Sequence, residues 1–317
     1  MELFLDSAVE EEVIFAHESG KCSGFTWNPT LVKAAVGNED YVEYTNKISG
    51  LVGPEPHKSC EVIGRTLEEM HRAGIKIYNT FRENGNIVIK VPIFTANRDE
   101  QDLVREGLAA IESLEREGIP VNVTTIQRYE QAVLAACAGA HFISPFLGRT
   151  DDYIRTEMMG LKIGVNFDKD TCFPAEGVPH YNDGYGNVSG THMLQRVVHA
   201  LKLLAEVTGR HYDVKVLAAS IRNVRQLLEA YESGADIATC PFYVFKEATE
   251  IKEWPERRVQ RYSDITETDI ERCLQAYETS EGLYGLLYHP KTVEGFEGFE
   301  KAGKSVPSFM RLLDTKP

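Results

Sequence analysis

The chain of 317 residues is short of positive charge: 34 Lys and Arg stand against 48 Asp and Glu, a formal balance of -14 at pH 7. That excludes nucleic acid or an anionic membrane surface as the main partner, while a few arginines gathered in one cleft still suffice to hold a small anion. It has no apolar run long enough to span a bilayer, and its first residues, M-E-L-F-L-D-S-A, carry acids where a secretory leader carries bases. The six cysteines (Cys22, Cys60, Cys137, Cys172, Cys240 and Cys273) are scattered, with no C-x-x-C pair. This pattern reads as reduced thiols in a cytoplasmic protein. No strand-like segment runs into G-x-G-x-x-G, so the phosphate loop of an open, doubly wound dinucleotide fold is missing.

What is present is a succession of short apolar segments rich in β-branched residues: 2–6, 23–28, 59–63, 86–91, 119–124, 140–144, 214–220 and 236–240. Amphipathic stretches lie between them. In 99–114, for example, Leu103, Gly107, Leu108 and Ile111 share a helical face opposite Arg105, Glu106 and Glu112. Strands alternating with helices in this way predict an α/β fold, a parallel (β/α)8 TIM-type barrel. Such a barrel carries its chemistry at the C-terminal ends of its strands. Polar residues collect there: Asp6, Asn28, Glu61, Lys90, Asn122 with Thr124, Ser144 and Ser220. One such residue is an ordinary strand terminator; the same feature on seven of eight segments predicts a shared site.

The stretch N-I-V-I-K-V-P-I-F, residues 86–94, sets Lys90 inside an apolar run. A lysine there loses hydration, so it is paired, deprotonated or aimed at something it reacts with, unless it snorkels from the strand end to solvent. A second irregularity is the long separation of the sixth and seventh segments. Its later part, 192–209, reads as a helix stopped by Gly209. Its earlier part, about 150–191, is rich in Gly, Pro, Asn and Asp, and a loop of that length predicts a lid or binding element. His180, His192 and Asp183 within it are metal-ligand types, but the histidines of the chain form no cluster at ligand spacing. The expected division is a barrel over 1–265, inserted loop included, and a helical extension over 266–317. The extension would pack on the barrel or on a neighbouring subunit, its first helix capped by Ser263 or Thr266.

Several of these segments resemble those of a known family. S-G-F-T-W-N-P-T-L-V resembles the G-V-T-T-N-P-S-L-I segment of transaldolases, and N-I-V-I-K-V-P resembles their lysine-bearing strand. V-N-V-T-T and I-S-P-F-L-G-R-T-D-D resemble the next two strand ends, and V-L-A-A-S-I-R-N resembles the seventh. The likeness runs in order over most of 1–250 and fades over about 155–190 and beyond about 280. The family is the class I aldolase-type barrel that groups transaldolases with fructose-6-phosphate aldolases.

The resemblance implies that Lys90 attacks a ketose carbonyl and forms a Schiff base, its pKa lowered by an apolar strand environment. It implies that Asp6 is the acid/base carboxylate for breaking the C3–C4 bond, and that Glu61 works through a water with Thr124. Asn28, Asn122 and Ser144 match the positions that hold the hydroxyls of a dihydroxyacetone unit. Arg149, Ser220 and Arg222 match the phosphate grip, where a planar fork bonds two oxygens at once. For Arg149 the structural alternative is an ion pair with Asp151 or Asp152. The family needs no cofactor and no metal, takes phosphorylated or otherwise anionic sugars, and forms homo-oligomers.

Glu61, Ser144 and Phe146 stand where simple fructose-6-phosphate aldolases tend to carry glutamine, alanine and tyrosine, which implies transfer rather than release of the three-carbon unit. A fructose-6-phosphate-type aldolase and a non-catalytic sugar-phosphate-binding protein are the alternatives. Two departures bear on specificity. Trp27 replaces a small residue beside Asn28, either lining the site or facing the helices as a core aromatic. The inserted loop, with His180, Tyr181, Asp183 and Tyr185, reads as a specificity lid or as a structural or oligomer-contact loop.

Overall fold

The computed structural model describes residues 1–36, 39–94, 96, 100–168, 170–258, 262 and 264–314. The predicted segments form strands β1 (Glu2–Leu5), β2 (Cys22–Trp27), β3 (His57–Glu61), β4 (Ile87–Pro92), β5 (Val121–Ile126), β6 (Phe142–Pro145), β7 (Lys215–Ala218) and β8 (Ile237–Cys240), every end within two residues of expectation. They pair in parallel in sequence order and close β8 onto β1, making the (β/α)8 barrel. Because side chains alternate along a strand, each strand sends one set toward the helices and one into the barrel. In β4, Ile89 and Val91 face the outer layer while Val88 and Lys90 face in, so the apolar run records burial on both faces.

The barrel interior is filled in layers. Phe4, Val88 and Phe142 precede Asp6, Lys90 and Ser144 by two residues and pack with Leu217 and Ile237 into a plug one layer nearer the N-terminal strand ends. Gly24 leaves space for the Phe4 ring: a Cβ there would fall 2.7 Å from Phe4 Cζ. Above the plug, the register aligns Glu61 with Lys90 and Lys90 with Asn122. A one-residue slip in any of these strands would turn its polar residue out of the barrel.

The helices are α1 (Glu10–Glu18), α2 (Pro29–Val36), α3 (Tyr41–Val52), α4 (Leu67–Phe81), α5 (Glu106–Arg116), α6 (Tyr129–Cys137), α7 (Leu147–Tyr153), α8 (Gly190–Thr208), α9 (Val224–Glu232), α10 (Phe242–Ala248), α11 (Glu267–Thr279), α12 (Leu283–Leu287), α13 (Pro290–Lys304) and α14 (Pro307–Asp314). The helix expected over 99–114 begins later, at Glu106 after a 3-10 turn over Gln101–Leu103, and Asp99 lies outside the described residues. Helix α8 ends where expected, with Gly209 left-handed at φ 62°. Thr266 caps α11 with the Asp269 carboxylate accepting from its backbone N–H at 2.9 Å; Ser263 lies outside the described residues. Among the described residues no helix is long and apolar enough to cross a membrane.

Two segments beyond the barrel meet over its active end. The insertion is anchored by buried Asp151, which accepts from the backbone of Gly190 at 2.7 Å and of Phe173 at 3.0 Å. Asp183 closes a tight turn, accepting from the backbone of Tyr185 at 2.8 Å and of Asn187 at 2.9 Å. Tyr153 and Tyr185 pack on His289, the N-cap of α13. From that point α13 runs across the barrel mouth, where Thr292 Oγ1 donates to the Thr125 carbonyl at 2.9 Å.

Candidate active site

Eight of the anticipated residues line one cavity of about 90 Å³: Asp6, Asn28, Lys90, Asn122, Ser144, Phe146, Arg149 and Ser220. Lys90 is only 4 % exposed, and its Nζ stands 3.2 Å from Glu61 Oε2, itself in a buried carboxylate. The apolar surroundings expected from the sequence are therefore those of the neighbouring outward residues. The lysine side chain itself enters a polar layer, opposite a carboxylate. Burial raises the pKa of Glu61, with Lys90 and then Arg149 opposing the rise. Thr124 is fully buried on the same face of β5 as Asn122, and its hydroxyl has no hydrogen-bond partner among the described residues.

On the other side of the cavity Thr26 Oγ1 donates to Asp6 Oδ1 at 2.7 Å and lies 2.6 Å from Thr239 Oγ1. With Thr26 donating to the carboxylate, Thr239 is the donor of the second bond. Burial raises the pKa of Asp6, while Lys90, the Thr26 hydroxyl and Arg149 pull it down. Ser144 Oγ donates to Asn122 Oδ1 at 2.6 Å, and Asn122 Nδ2 donates to Ser59 Oγ at 3.3 Å, so β3, β5 and β6 are tied across the barrel interior. Asn28 Oδ1 accepts from the backbone of Leu31 at 3.0 Å and so caps α2, where Pro29 is the first helical residue.

A wider vestibule of about 650 Å³ shares Asp6, Asn28, Arg149, Ser220 and Phe299 with the cavity and adds Arg222, Asp152, Tyr243 and more of the face of α13. Arg149 makes no ion pair with Asp151 or Asp152. Its guanidinium carbon lies 5.0 Å from the centroids of both the Phe146 and Phe299 rings. Burial lowers its pKa, but a guanidinium stays charged across the physiological range. The arginine paired with Asp152 is Arg222, whose Nη2 donates to Asp152 Oδ2 at 2.6 Å. Ser220 is left-handed, at φ 58°, and its carbonyl accepts from Gly148 at 3.0 Å. Gly148 has to be glycine: a Cβ would fall 2.1 Å from Arg222 Nε.

Trp27 does not line this cavity. It packs in the barrel-to-helix layer against Phe25, with its indole N–H donating to the Ser7 carbonyl at 2.9 Å. Alternation explains this: Thr26, one residue earlier, is the inward one. The insertion meets the vestibule through Ile163 and Asp170. Of the four lid residues anticipated, His180 and Tyr181 are exposed, while Asp183 and Tyr185 turn toward Asn187 and His289. Sequence reasoning missed Thr26, Thr239 and Phe299. Thr239 was legible as the polar residue of the eighth strand; Phe299, 150 positions beyond Arg149, had no local signal. Among the described residues no group of three or more His, Cys, Asp or Glu is placed to hold a metal ion.

A closed parallel barrel whose strand ends converge on a buried lysine, two carboxylates and an arginine set between two aromatic rings has the layout of a barrel enzyme of the aldolase and transaldolase kind. The sequence comparisons are specific. The chain belongs to the family described as Transaldolase/Fructose-6-phosphate aldolase, whose model matches residues 3–306. It is 32 % identical over 279 residues to a probable transaldolase of Caldicellulosiruptor saccharolyticus, covering 88 % of this chain and 97 % of that one. Against a probable transaldolase of a Hydrogenobaculum species it is 34 % identical over 248 residues, 78 % of this chain and 88 % of the relative.

Proposed function

We propose that this enzyme transfers a dihydroxyacetone unit from a ketose phosphate, or a similarly anionic ketose, to an aldose phosphate through an imine on Lys90. The observation that carries the reading is the placement of Lys90 Nζ in the cavity, 3.2 Å from Glu61 Oε2 and in the same cavity as Asp6. The amine adds to the ketose carbonyl. Glu61 and Thr124 pass the protons that let the carbinolamine lose water, and the C–O bond is replaced by C=N. Asp6 takes the proton of the C4 hydroxyl as the C3–C4 bond breaks; its electrons enter the imine, leaving an enamine, and the aldose departs. The enamine carbon then attacks a second aldehyde, Asp6 returns its proton to the new hydroxyl, and water releases the product.

Glu61, Ser144 and Phe146 support transfer over simple aldol cleavage by their likeness to the transferring members of the family. Arg149, with Ser220 and Arg222 beside it, supports an anionic tail on the substrate. The test is product analysis with fructose 6-phosphate, with and without an aldose phosphate acceptor. Transfer requires sustained turnover only when acceptor is present. Steady release of free dihydroxyacetone without acceptor would establish the aldolase instead, and specific binding with no turnover under either condition would establish a binding protein. A homo-oligomer in the cytoplasm belongs to the same proposal; sedimentation of the purified protein tests the assembly.

A further inference from the structure

We propose that helix α13 completes the anion grip of its own barrel, with Phe299 acting with Phe146 to position the Arg149 guanidinium for the anionic tail of the sugar. The inference rests on the sugar-phosphate reading of the cavity and assigns the C-terminal extension a part in it.

The grip has two arginines, and they are held by different means. Arg222 is held by a carboxylate, Asp152, at 2.6 Å, so much of its charge is answered before any ligand arrives. Arg149 is held by two aromatic rings, each with its centroid 5.0 Å from the guanidinium carbon. Rings orient a guanidinium and restrict its rotamers without neutralising it, because their attraction comes from the quadrupole of the π face and brings no opposite charge. The N–H edges stay available to an anion.

One ring, Phe146, comes with the β6 end, three residues before the arginine. The other comes from α13, and the helix is built to deliver it. Lys291, Gly295, Gly298 and Phe299 fall on one helical face and all line the vestibule. Gly295 lets the helix approach, since a Cβ there would meet Arg149 Nη1 at 2.3 Å. Phe299 is 5 % exposed and lines the inner cavity as well as the vestibule. The Lys291 ammonium is paired with Glu294 at 2.6 Å, so of the described arginines and lysines lining the vestibule, Arg149, Arg222 and Lys291, Arg149 is the one held without an ion pair.

The experiment compares wild type with Phe299→Met, which keeps the volume and loses the ring, and Phe299→Tyr, which keeps the ring. Two readouts are used: KM for fructose 6-phosphate relative to unphosphorylated fructose, and the affinity for inorganic phosphate by calorimetry, which needs no turnover. The expected result for Phe299→Met is a rise of about tenfold in the KM ratio and a matching loss of phosphate affinity, both restored by Phe299→Tyr. An unchanged ratio with unchanged phosphate affinity, or equal rises in both KM values, overturns the inference while leaving the transfer reaction standing. Loss of phosphate affinity in Phe299→Met, in a protein that forms no adduct at Lys90, retains the grip and overturns the transfer reaction. Should Phe299→Met fail to fold, Gly295→Ala displaces Arg149 from the other side with a residue that favours the helix, and the same two readouts decide.

Discussion

Replacing Gly295 by alanine sets helix stability against the position of Arg149. In the interior of α13 the change favours the helix by about 1 kcal/mol. The new Cβ would lie 2.3 Å from Arg149 Nη1 and 3.1 Å from Thr125 Cγ2. Ordinary contact needs about 3.5 Å, so the guanidinium has to withdraw by roughly 1 Å. It withdraws from between two rings, at a cost of about 1–2 kcal/mol of cation–π attraction. The terms oppose one another, and folding stability should stay within about 1 kcal/mol of wild type. Binding has no such compensation. A charge-assisted hydrogen bond to the substrate's anionic end contributes about 1.5–3 kcal/mol, and losing it raises KM for fructose 6-phosphate by roughly tenfold to a hundredfold. The assay pairs steady-state KM values, phosphorylated against unphosphorylated ketose, with a thermal melt of the same preparation. An unchanged KM for fructose 6-phosphate in a protein whose melting temperature has risen would refute the reasoning. It would show that Arg149 moves aside freely and that the anion is held elsewhere.

Asp6→Asn keeps an acceptor for Thr26 but cannot take a proton, so kcat should fall by about 10²–10⁴ while imine formation continues. Borohydride quenching should then find the uncleaved six-carbon adduct on Lys90; a three-carbon adduct formed at the wild-type rate would assign the proton transfer to another group. Asp151, although bonded to Gly190 and Phe173, has its pKa pushed up by burial to about 7. The folded protein therefore keeps a proton that the unfolded chain releases near 3.8, and this group's contribution to stability falls as pH rises from about 4 toward 7. Burial and Arg196 push His192 down to about 4, giving the opposite slope: its contribution is complete above 6.5 and is lost as pH falls toward 4. Subtracting the melting curve of Asp151→Asn from that of wild type isolates the first effect; parallel curves across this pH range would show that Asp151 is ionised in the native state.

The barrel was legible because its strands are short, β-branched and separated by helices, so the alternating pattern of a parallel fold survives in one dimension. Most of the cavity was legible for a related reason: strand ends converge in any such barrel, and polar residues at those ends are adjacent in space however far apart in sequence. Lys90 also shows the limit of that reading. Its neighbours Ile89 and Val91 face the helices, so an apolar run in sequence says nothing about the polarity of the layer that the lysine enters. Of the two readings open for Trp27, the core aromatic facing the helices holds, because the ring is one residue out of phase with the inward Thr26. Phe299 was not legible as a site residue: the apolar tail containing it reads as packing on its own barrel more readily than on a neighbour, but which ring reaches the barrel mouth depends on tertiary fit.

The most direct test of the central claim is reduction of the wild-type protein with borohydride in the presence of fructose 6-phosphate, followed by mass spectrometry of the Lys90 peptide. Lys90 stands in the cavity beside Glu61, and the account predicts a reduced three-carbon adduct on that residue and on no other lysine. An unmodified Lys90 under conditions where the enzyme turns over fructose 6-phosphate would contradict it.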